Sequence, residues 1–321
     1  MTASAGRITL WGVEVFVATA EEGAISAAAR RLGSSPAAVS QQLTNLETAI
    51  GATLLDRSAR PVTLTQAGEI FLRRANAILN EADQARLELA TADIGLTRLR
   101  LGMIEDFETD VTPRLLAGMG GVLQNCQFVL ETGPSHRLHD MLESRALDLI
   151  VAADMGTQGV EQYPLMEEPF IIAAPKGSLT TGDALGDLQA LPMIRYTTRH
   201  HMGQLIAGHL SRHNIDIPHR FELDSYHAIM AMVASGAGWT VLTPLAWLRA
   251  RRFQDMIDVA PLPLPPLTRR IALTARQGQL TDTATEIAGR LRDLLKEAIT
   301  EPAIARFPWL DGPLCVLDQV P

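Results

Sequence analysis

The sequence predicts an α/β protein whose first quarter is helical and whose remainder alternates strands with helices. Apolar residues recur at spacings of three and four over residues 10–50, the period of amphipathic helices. A further helical pattern occupies residues 66–96. From residue 97 onward, short aliphatic runs alternate with helical segments, and this alternation predicts a parallel sheet with helices packed on it.

The composition excludes several classes of protein. The 321 residues are 47% hydrophobic and 20% charged, which is the balance of a folded globular chain. No stretch approaches the roughly 18 apolar residues of a membrane span, and the first ten residues lack a secretory signal, so we expect a cytoplasmic protein. Cys126 and Cys315 are the only cysteines, and their spacing fits neither a disulfide framework nor a zinc module.

Charge is distributed unevenly along the chain. The whole sequence carries a net charge of -8, whereas residues 26–74 carry six arginines against three acidic residues. A negative chain argues against a protein that coats nucleic acid over its whole surface. The local excess of arginine nevertheless indicates a DNA-binding face near the N-terminus.

Three helices are predicted within the first 50 residues. Their expected bounds are residues 10–22, 26–32 and 36–50. Ser26 and Ser35 are the expected N-caps of the second and third helices, and Pro36 suits the first turn of the third. Gly23, Gly33 and Gly51 follow the three segments, as is common at helix ends. The second and third segments therefore read as helix, short turn, helix.

One face of the third helix carries small and amide side chains, namely Ala37, Ser40, Gln41, Thr44 and Thr48. Such a face can enter a major groove, where Gln41 would pair with an adenine edge and the helix N-terminus would meet a phosphate. Periodicity alone favours an ordinary solvated face. The next residues favour DNA binding, because 54–55 and 62–64 predict a two-stranded wing around Arg57 and Arg60.

Residues 27–68, AAARRLGSSPAAVSQQLTNLETAIGATLLDRSARPVTLTQAG, resemble the winged helix-turn-helix of LysR-type transcriptional regulators. Two positions depart from the usual pattern: Ala24 stands where serine is common, at the cost of one phosphate hydrogen bond, and Leu55 replaces a frequent phenylalanine. The resemblance implies a sequence-specific DNA-binding regulator. We expect DNA contacts from Ser26, Ser35, Pro36, Ala37, Ser40, Gln41, Thr44, Arg57 and Arg60.

A long helix is predicted after the wing, and its apolar stripe comprises Ile70, Phe71, Ile78, Leu79, Ala82, Ala85 and Leu89. Such a stripe alone is more often core packing than a partner surface. Because it follows a small DNA-binding module directly, with little globular domain of its own to pack on, a dimerising linker is the better interpretation. The resemblance implies the same, with a homodimer or homotetramer, double-stranded DNA, a small-molecule effector and RNA polymerase as partners.

Residues 97–300 predict two α/β lobes. Strands are expected at 99–104, 127–130, 147–151, 193–195, 221–223, 239–242 and 270–273, and helices at 112–123, 137–145, 203–213, 228–235 and 282–299. Crossovers near 171–175 and 261–268 would divide lobe 1, at 97–171 and 269–300, from lobe 2, at 172–268. A cleft would then form where strand C-termini meet helix N-termini.

This half also resembles the family, through residues 145–150 and 233–244, which implies a periplasmic-binding-protein-like effector domain. The predicted organisation is a winged helix-turn-helix domain at 1–66, a linker helix at 67–96, an effector domain at 97–300 and a tail at 301–321. The tail, with Phe-Pro-Trp-Leu at 307–310, lies outside the pattern. We expect it to dock on its own domain or on a partner subunit.

The cleft candidates begin with an acidic loop that contains Glu105, Asp106, Glu108 and Asp110. These carboxylates either form a solvated rim or mark a neutral or cationic effector, since they would repel an anion. Arg195 is the expected anion partner, or else pairs with one of them. The other candidates lie at strand ends or helix starts: Thr132, Ser135, Tyr196, His200, Asp224, Ser225 and Thr243.

Signatures of catalysis are absent from the sequence. It holds no GxSxG, no HExxH and no glycine loop ending in Gly-Lys-Ser/Thr, so neither an enzyme nor a cofactor is expected. His136 and His139 in one lobe and His200 and His201 in the other raise a metal site as an alternative to hydrogen-bonding histidines, and no metal is predicted. A LysR-type regulator is the favoured function. The alternative is an α/β enzyme or solute-binding domain fused to a DNA-binding tether.

Overall fold

The structure is a computed structural model that describes residues 7–90, 96, 98–120, 123, 126–180, 182–188 and 191–318, without the side chains of 83, 84, 86–90 and 185. The chain divides into two compact units, Met1–Thr97 with Glu143–Leu147, and Arg98–Leu142 with Asp148–Pro321. We call them the N-terminal and C-terminal units. Within the described residues, no helix has both the length and the apolar character that crossing a membrane requires.

The N-terminal unit contains four helices and a short hairpin. Its elements are α1 (Leu10–Glu22), α2 (Ile25–Arg31), α3 (Pro36–Ile50), β1 (Leu55–Asp56), β2 (Thr63–Leu64) and α4 (Gln66–Ala90). The predicted start of α3 is confirmed, because the Ser35 hydroxyl accepts a hydrogen bond from the Ala38 amide, and the helix ends at Gly51 with a φ of 79°. Only glycine adopts that conformation at low cost.

The predicted start of α2 is wrong. The N-cap is Ala24, whose extended backbone places its carbonyl to accept from the amides of Ala27 and Ala28. Ser26 therefore lies inside the first turn, and its side chain is exposed. Because alanine has no side-chain acceptor, α2 begins without a side-chain cap, which leaves its first amides available to another acceptor.

The apolar stripe predicted along α4 is divided between two faces. Phe71 and Leu79 pack against the core of the N-terminal unit, and the ring of Phe71 meets that of Phe16 edge-on at 5.2 Å. Ile70 and Ile78 remain 55% and 39% exposed. The expectation that this helix has little to pack on is therefore wrong for Phe71 and Leu79, while the side chain of Leu89 lies outside the described residues.

The junction between the wing and α4 explains part of the sequence motif. The Thr65 hydroxyl donates to the carbonyls of Thr53 and Leu54 and accepts from the Gly68 amide. A Cβ added to Gly68 would lie 2.0 Å from the Leu54 carbonyl oxygen. Glycine is therefore needed here for close backbone approach.

The C-terminal unit combines strands and helices, which alternate over part of its length. Its elements are β3 (Arg98–Ile104), α5 (Thr112–Met119), β4 (Gln127–Gly133), α6 (Ser135–Glu143), β5 (Leu149–Ala153), β6 (Val160–Pro169), β7 (Ile171–Pro175), α7 (Ala184–Leu188), β8 (Met193–Tyr196), α8 (His201–Arg212), β9 (His219–Leu223), α9 (Tyr226–Ala234), β10 (Thr240–Leu242), α10 (Pro244–Arg249), β11 (Ile257–Pro261), β12 (Thr268–Arg276), α11 (Thr281–Leu295), α12 (Glu301–Arg306) and β13 (Cys315–Val316).

These strands form two groups. The larger sheet has the order β13-β6-β12-β5-β3-β4, and with its helices we call it lobe 1. The smaller group contains β10-β7-β11 and β8-β9, joined by a bridge between Met193 and Trp239, and with its helices we call it lobe 2. The prediction of a parallel sheet holds only for β3 with β4 and β5 and for β8 with β9. The strands that lead between the lobes pair antiparallel, because the chain crosses and then returns.

The C-terminal tail docks on its own unit. Strand β13 pairs antiparallel with β6, at the edge of the lobe 1 sheet, and the Leu317 amide donates to the Leu165 carbonyl. Leu310 and Leu314 are each 1% exposed. Of the two docking sites expected from the sequence, the structure therefore shows the tail on its own domain.

Candidate functional site

The face of α3 that is turned away from the core is polar and uncharged. Val39, Leu43 and Leu46 are buried on the inner face. The residues predicted to contact DNA on the other side are accessible: Ser35, Pro36, Ala37, Gln41 and Thr44 are exposed, and Ser40 is half-buried. The side-chain amide of Gln41 donates to Asn45 at 2.9 Å, so both amides stand on the same exposed surface.

Glu47 is the only acidic residue of α3, and its side chain is directed to the wing. One carboxylate oxygen accepts from the amides of Leu54 and Leu55, at 2.8 and 3.2 Å. The other accepts from the Arg57 guanidinium at 2.6 Å. These bonds fix the first strand of the wing to the recognition helix. They also neutralise a carboxylate that would otherwise repel phosphate.

The two arginines of the wing differ in their surroundings. Arg57 is held by Glu47 and also donates to the Thr44 hydroxyl at 3.3 Å, an internal role that the sequence did not predict. Arg60 is exposed, and no ion pair of its side chain occurs among the described residues. Arg60 is therefore the wing cation that is free to meet a phosphate.

We predict separable effects for these two arginines. Arg57→Ala should lower the free energy of unfolding of the N-terminal unit by about 1.5–3 kcal/mol, because it removes a partly buried charge-assisted hydrogen bond. Arg60→Ala should leave stability within about 0.5 kcal/mol and reduce the salt dependence of DNA binding by about one phosphate contact. Urea unfolding and DNA titrations at several salt concentrations measure both. Equal destabilisation by the two substitutions would contradict the assignment.

A cluster of buried charges in the C-terminal unit surrounds Arg269 on β12. Its Nε donates to Glu168 of β6 at 2.6 Å, and its Nη2 donates to Asp106 at 2.7 Å. The second oxygen of Glu168 accepts from the Leu245 amide at the start of α10. The side chains of Arg269 and Glu168 are only 7% and 0% exposed. This cluster therefore joins β6, β12 and the turn after β3, all in lobe 1, to the first turn of α10 in lobe 2.

Burial and neighbouring charges shift the pKa values of Glu168 and Arg269 in opposite directions. Burial raises the pKa of Glu168 above its usual value, although the neighbouring Arg269 opposes that shift. Burial alone would lower the pKa of Arg269, but Glu168 and Asp106 outweigh it and raise the pKa. The guanidinium is therefore charged at any physiological pH, and both carboxylates depend on it.

We predict that Arg269→Ala lowers the free energy of unfolding by about 3–5 kcal/mol, because Glu168 then stays buried without a counter-charge. The loss should shrink as the pH falls, because Arg269 holds down the pKa of Glu168, so its removal raises that pKa further and the folded variant takes up a proton at a higher pH than the folded parent. Urea unfolding between pH 5 and pH 8 measures both effects, with the chain's own tryptophans as the probe.

Arg270→Ala is the matched control, because Arg270 is the next residue of β12 and pairs with Glu167 on the exposed side, where it is 66% exposed. It should change stability by no more than about 0.5 kcal/mol. Similar losses for the two arginines would show that the buried cluster does not hold the lobes.

A pocket of about 100 Å³ opens beside this cluster, at the C-terminal ends of strands from both lobes. It is lined by Ile104, Glu105, Asp106, Gly133, Pro134, Ser135, His136, Tyr196, His200, His201, Met202, Asp224, Tyr226, Ala246 and Arg269. The position follows the rule that open α/β sheets bind ligands where the strand order reverses. Its size suits a small ligand.

The structure brings together six of the ten residues predicted for this cleft: Glu105, Asp106, Ser135, Tyr196, His200 and Asp224. The remaining four, which do not line the pocket, are Thr132, Arg195, Ser225 and Thr243. Arg195 donates to the Ile217 carbonyl at 3.1 Å, so its expected pairing with a ligand or with the acidic loop finds no support. Thr243 instead caps α10 and lies 3.4 Å from Arg269.

Three of the four carboxylates in the acidic loop are paired with arginines, and the loop contributes Glu105 and Asp106 to the pocket wall. Asp106 pairs with Arg269, Glu108 with Arg249 at 3.1 Å, and Asp110 with Arg251 at 2.8 Å. Arg249 and Arg251 belong to lobe 2, so the loop links the lobes. Within the described residues, Glu105 has no ion pair and keeps its charge for the pocket.

Sequence reasoning missed Tyr226 and Arg269 among the lining residues, and it considered His136 and His201 only as alternative metal ligands. His136 faces His200 across the pocket, with ring centroids 5.1 Å apart. His139, which shared the proposed metal face, instead contacts the Ala153 carbonyl at 3.0 Å and is buried. Among the described residues no three acidic, histidine or cysteine side chains are grouped to hold a metal ion.

The imidazoles of His200 and His201 are biased toward the neutral form. Burial lowers the pKa of His200, and the facing His136 lowers it further. Burial also lowers the pKa of His201, with Arg269 adding to the shift. Burial raises the pKa of Tyr226 to about 12. The pocket therefore presents the neutral forms of His200, His201 and Tyr226 beside the side chains of Glu105 and Asp224.

Comparisons with known proteins agree with both units. Residues 10–69 match the model of the bacterial regulatory helix-turn-helix protein, lysR family, and residues 96–299 match that of the LysR substrate binding domain. A probable hydrogen peroxide-inducible genes activator of Mycobacterium avium is 30% identical over 306 residues, which cover 89% of this chain and 94% of the relative.

Two solved structures share the fold. Full-length OxyR from Pseudomonas aeruginosa, in a cysteine-substituted form, is 24% identical, with a TM-score of 0.64 and coverage of 98% of this chain and 99% of that one. Full-length CbnR in complex with its target DNA is 20% identical, with a TM-score of 0.60 and coverage of 91% and 100%.

Proposed function

The chain belongs to the LysR family of DNA-binding transcriptional regulators, and we propose that it binds a two-fold operator as a homo-oligomer. Its affinity for the operator changes when a small molecule occupies the cleft. The observation that carries the proposal is the pocket at the strand ends, because residues of both lobes line it. A ligand that contacts both lobes favours one lobe arrangement over another. The arrangement in turn changes the spacing or bend of the bound DNA.

The DNA-binding part of the proposal rests on the exposed face of α3 and on the wing. Gln41 would contact a base edge, and Ser35, Ser40 and Thr44 would lie against the groove walls. Ser26 and Arg60 would approach the backbone phosphates. The internal pairing of Glu47 supports this role, since it removes the one carboxylate of the helix from the phosphates.

We propose that the effector is small and neutral or cationic. Arg269 is the only arginine or lysine that lines the pocket, and both of its carboxylate partners already neutralise it. Glu105 and Asp224 remain, and the side chain of Asp224 is 63% exposed with Arg199 only at 4.0 Å. An anion would meet net repulsion in this pocket.

We further propose that the effector binds without covalent chemistry. The Mycobacterium avium relative is named for induction by hydrogen peroxide, and a cysteine response to an oxidant needs an accessible thiolate. Cys126 and Cys315 are both half-buried, and burial raises the pKa of each thiol. Neither cysteine lines the pocket.

A thermal-shift screen of small amines, neutral amides and alcohols, and mono- and dicarboxylates tests the effector class. We expect a raised melting temperature with an amine or a neutral compound, and about tenfold weaker binding of an amine to Glu105→Gln, because a charge-assisted hydrogen bond is lost. Arg195→Ala is the control and should bind as the parent does. A dicarboxylate that binds tightly and requires Arg195 would overturn the proposal.

Assembly is tested on the exposed side of α4. Ile78→Glu should reduce the mass measured by light scattering and weaken operator binding, because a charge would be buried where two copies meet and the half-sites could not be held together. Gln66→Glu adds the same charge at an exposed polar position of the same helix and should leave the mass unchanged. An unaltered mass for Ile78→Glu would show that this residue lies outside the interface.

A further inference from the structure

The segment that follows α11 contacts both lobes of the C-terminal unit. At its far end, β13 extends the lobe 1 sheet by pairing with β6. At its near end, the Phe307 ring meets the Trp247 ring of α10 edge-on at 4.9 Å. The Arg306 guanidinium lies 4.7 Å above the Trp247 ring and donates to Gln254. One short segment of chain thus connects the edge of lobe 1 to a helix of lobe 2.

This segment lies beyond the part of the chain that matches the family's substrate-binding domain, which ends at residue 299. Hydrogen bonds nevertheless hold this segment on the C-terminal unit. Arg292 of α11 donates to the carbonyls of Pro164 and Leu317 and so clamps β13 onto β6. Such bonds to a buried strand hold a terminus that would otherwise be free to fray.

Helix α10, against which the tail packs, also lines the pocket. Ala246 lines the pocket, Trp247 is the next residue, and the Leu245 amide is held by Glu168. Helix α10 is therefore fixed at its start by the buried charge cluster and on its side by the tail. A rigid-body movement of α10 would alter both the pocket and the tail contact.

Several buried polar atoms around α10 lack hydrogen bonds among the described residues. They are Trp247 Nε1, Arg249 Nη1 and Tyr226 Oη. The charge of Arg249 partly opposes the raised pKa of Tyr226, but no aligned hydrogen bond joins the two. Separation of the lobes would give these groups water as a partner, which offsets part of the lost packing. Hydration of these groups therefore lowers the free-energy cost of releasing Phe307 and Arg306 from Trp247.

We propose that the segment Glu301–Leu317 is a strap that holds lobe 2 against lobe 1 and sets how readily the cleft opens. The strap ends on β6 and on α10, so either end controls the same opening. Its regulatory consequence, a changed response to the effector, rests on the proposed function of the cleft. The strap itself is a property of the C-terminal unit and is testable without DNA or effector.

Hydrogen exchange of the full-length protein, read by mass spectrometry, is the test. Phe307→Ala loosens the lobe 2 end, and Leu317→Pro removes the amide that donates to Leu165 at the lobe 1 end. Each should speed exchange about three- to tenfold, the scale of losing one aromatic or hydrogen-bonding contact, at the pocket residues Glu105–Phe107 and at the start of α8. Neither of these segments contacts the altered residues through any ring or hydrogen bond described above.

Arg306→Ala is the second variant, because the exposed side chain of Arg306 can be removed without opening the core. This variant tests the strap if Phe307→Ala does not fold. It should act in the same direction as Phe307→Ala with a smaller increase in exchange rate. Arg290→Ala is the matched control, because Arg290 pairs only with Glu286 on the exposed side of α11. It should change exchange nowhere near the cleft.

Faster exchange confined to α10 and to the tail would show that the segment only fills space on one helix, and the strap would then be wrong. Unchanged exchange in all variants would overturn it as well. These outcomes are independent of the effector screen: the strap can fail while ligands still bind through Glu105, and the screen can fail while the lobes still open in Phe307→Ala.

Discussion

The buried guanidinium of Arg269 is the interaction on which the C-terminal unit depends. Its burial is costly, and only the two carboxylates of Asp106 and Glu168 compensate for it. Because those carboxylates come from the end of β3 and from β6, and Glu168 also holds the first turn of α10, one side chain fixes the relation between the crossing strands and the second lobe. The pocket lies directly beside it, so any ligand there acts on a group that already spans the lobes.

This constraint also determines the charge that a ligand meets. Asp106 is committed to Arg269, while Glu108 and Asp110 extend to Arg249 and Arg251 of lobe 2. Three carboxylates of the acidic loop are therefore paired, and among the described pocket residues Glu105 has no ion pair while Asp224 has only a 4.0 Å contact with Arg199. An ion pair cancels most of the electric field of each of its charges. The charge that a ligand meets in the cleft is therefore set by the residues that remain unpaired, and not by the number of acidic residues in the loop.

Many of the helices and strands, and six of the fifteen residues that line the pocket, could be predicted because local chemistry decides them. Ser35 and Gly51 define α3 through their own capping interactions, and Tyr196 and Asp224 follow from the rule for strand ends. The Arg269 cluster could not be predicted. Glu167 with Glu168 and Arg269 with Arg270 are adjacent like-charged pairs, and the β6–β12 register decides which member of each is buried. That register joins residues about one hundred positions apart, which no local pattern contains. The Arg195 prediction failed for the same reason, since its partner Ile217 belongs to another segment.

In both units carboxylates pair with groups of the protein itself, but the charge that is left to face a ligand differs between the units. In the N-terminal unit, Glu47 is turned to Arg57 and to two backbone amides, which leaves α3 without a negative charge toward a polyanion. At the pocket of the C-terminal unit, Arg269 is paired as well as Asp106, and the described carboxylates without a close ion pair are those of Glu105 and Asp224. A net charge of -8 is therefore compatible with DNA binding, because a bound phosphate responds to the unpaired groups within about one Debye length and not to the sum over the chain.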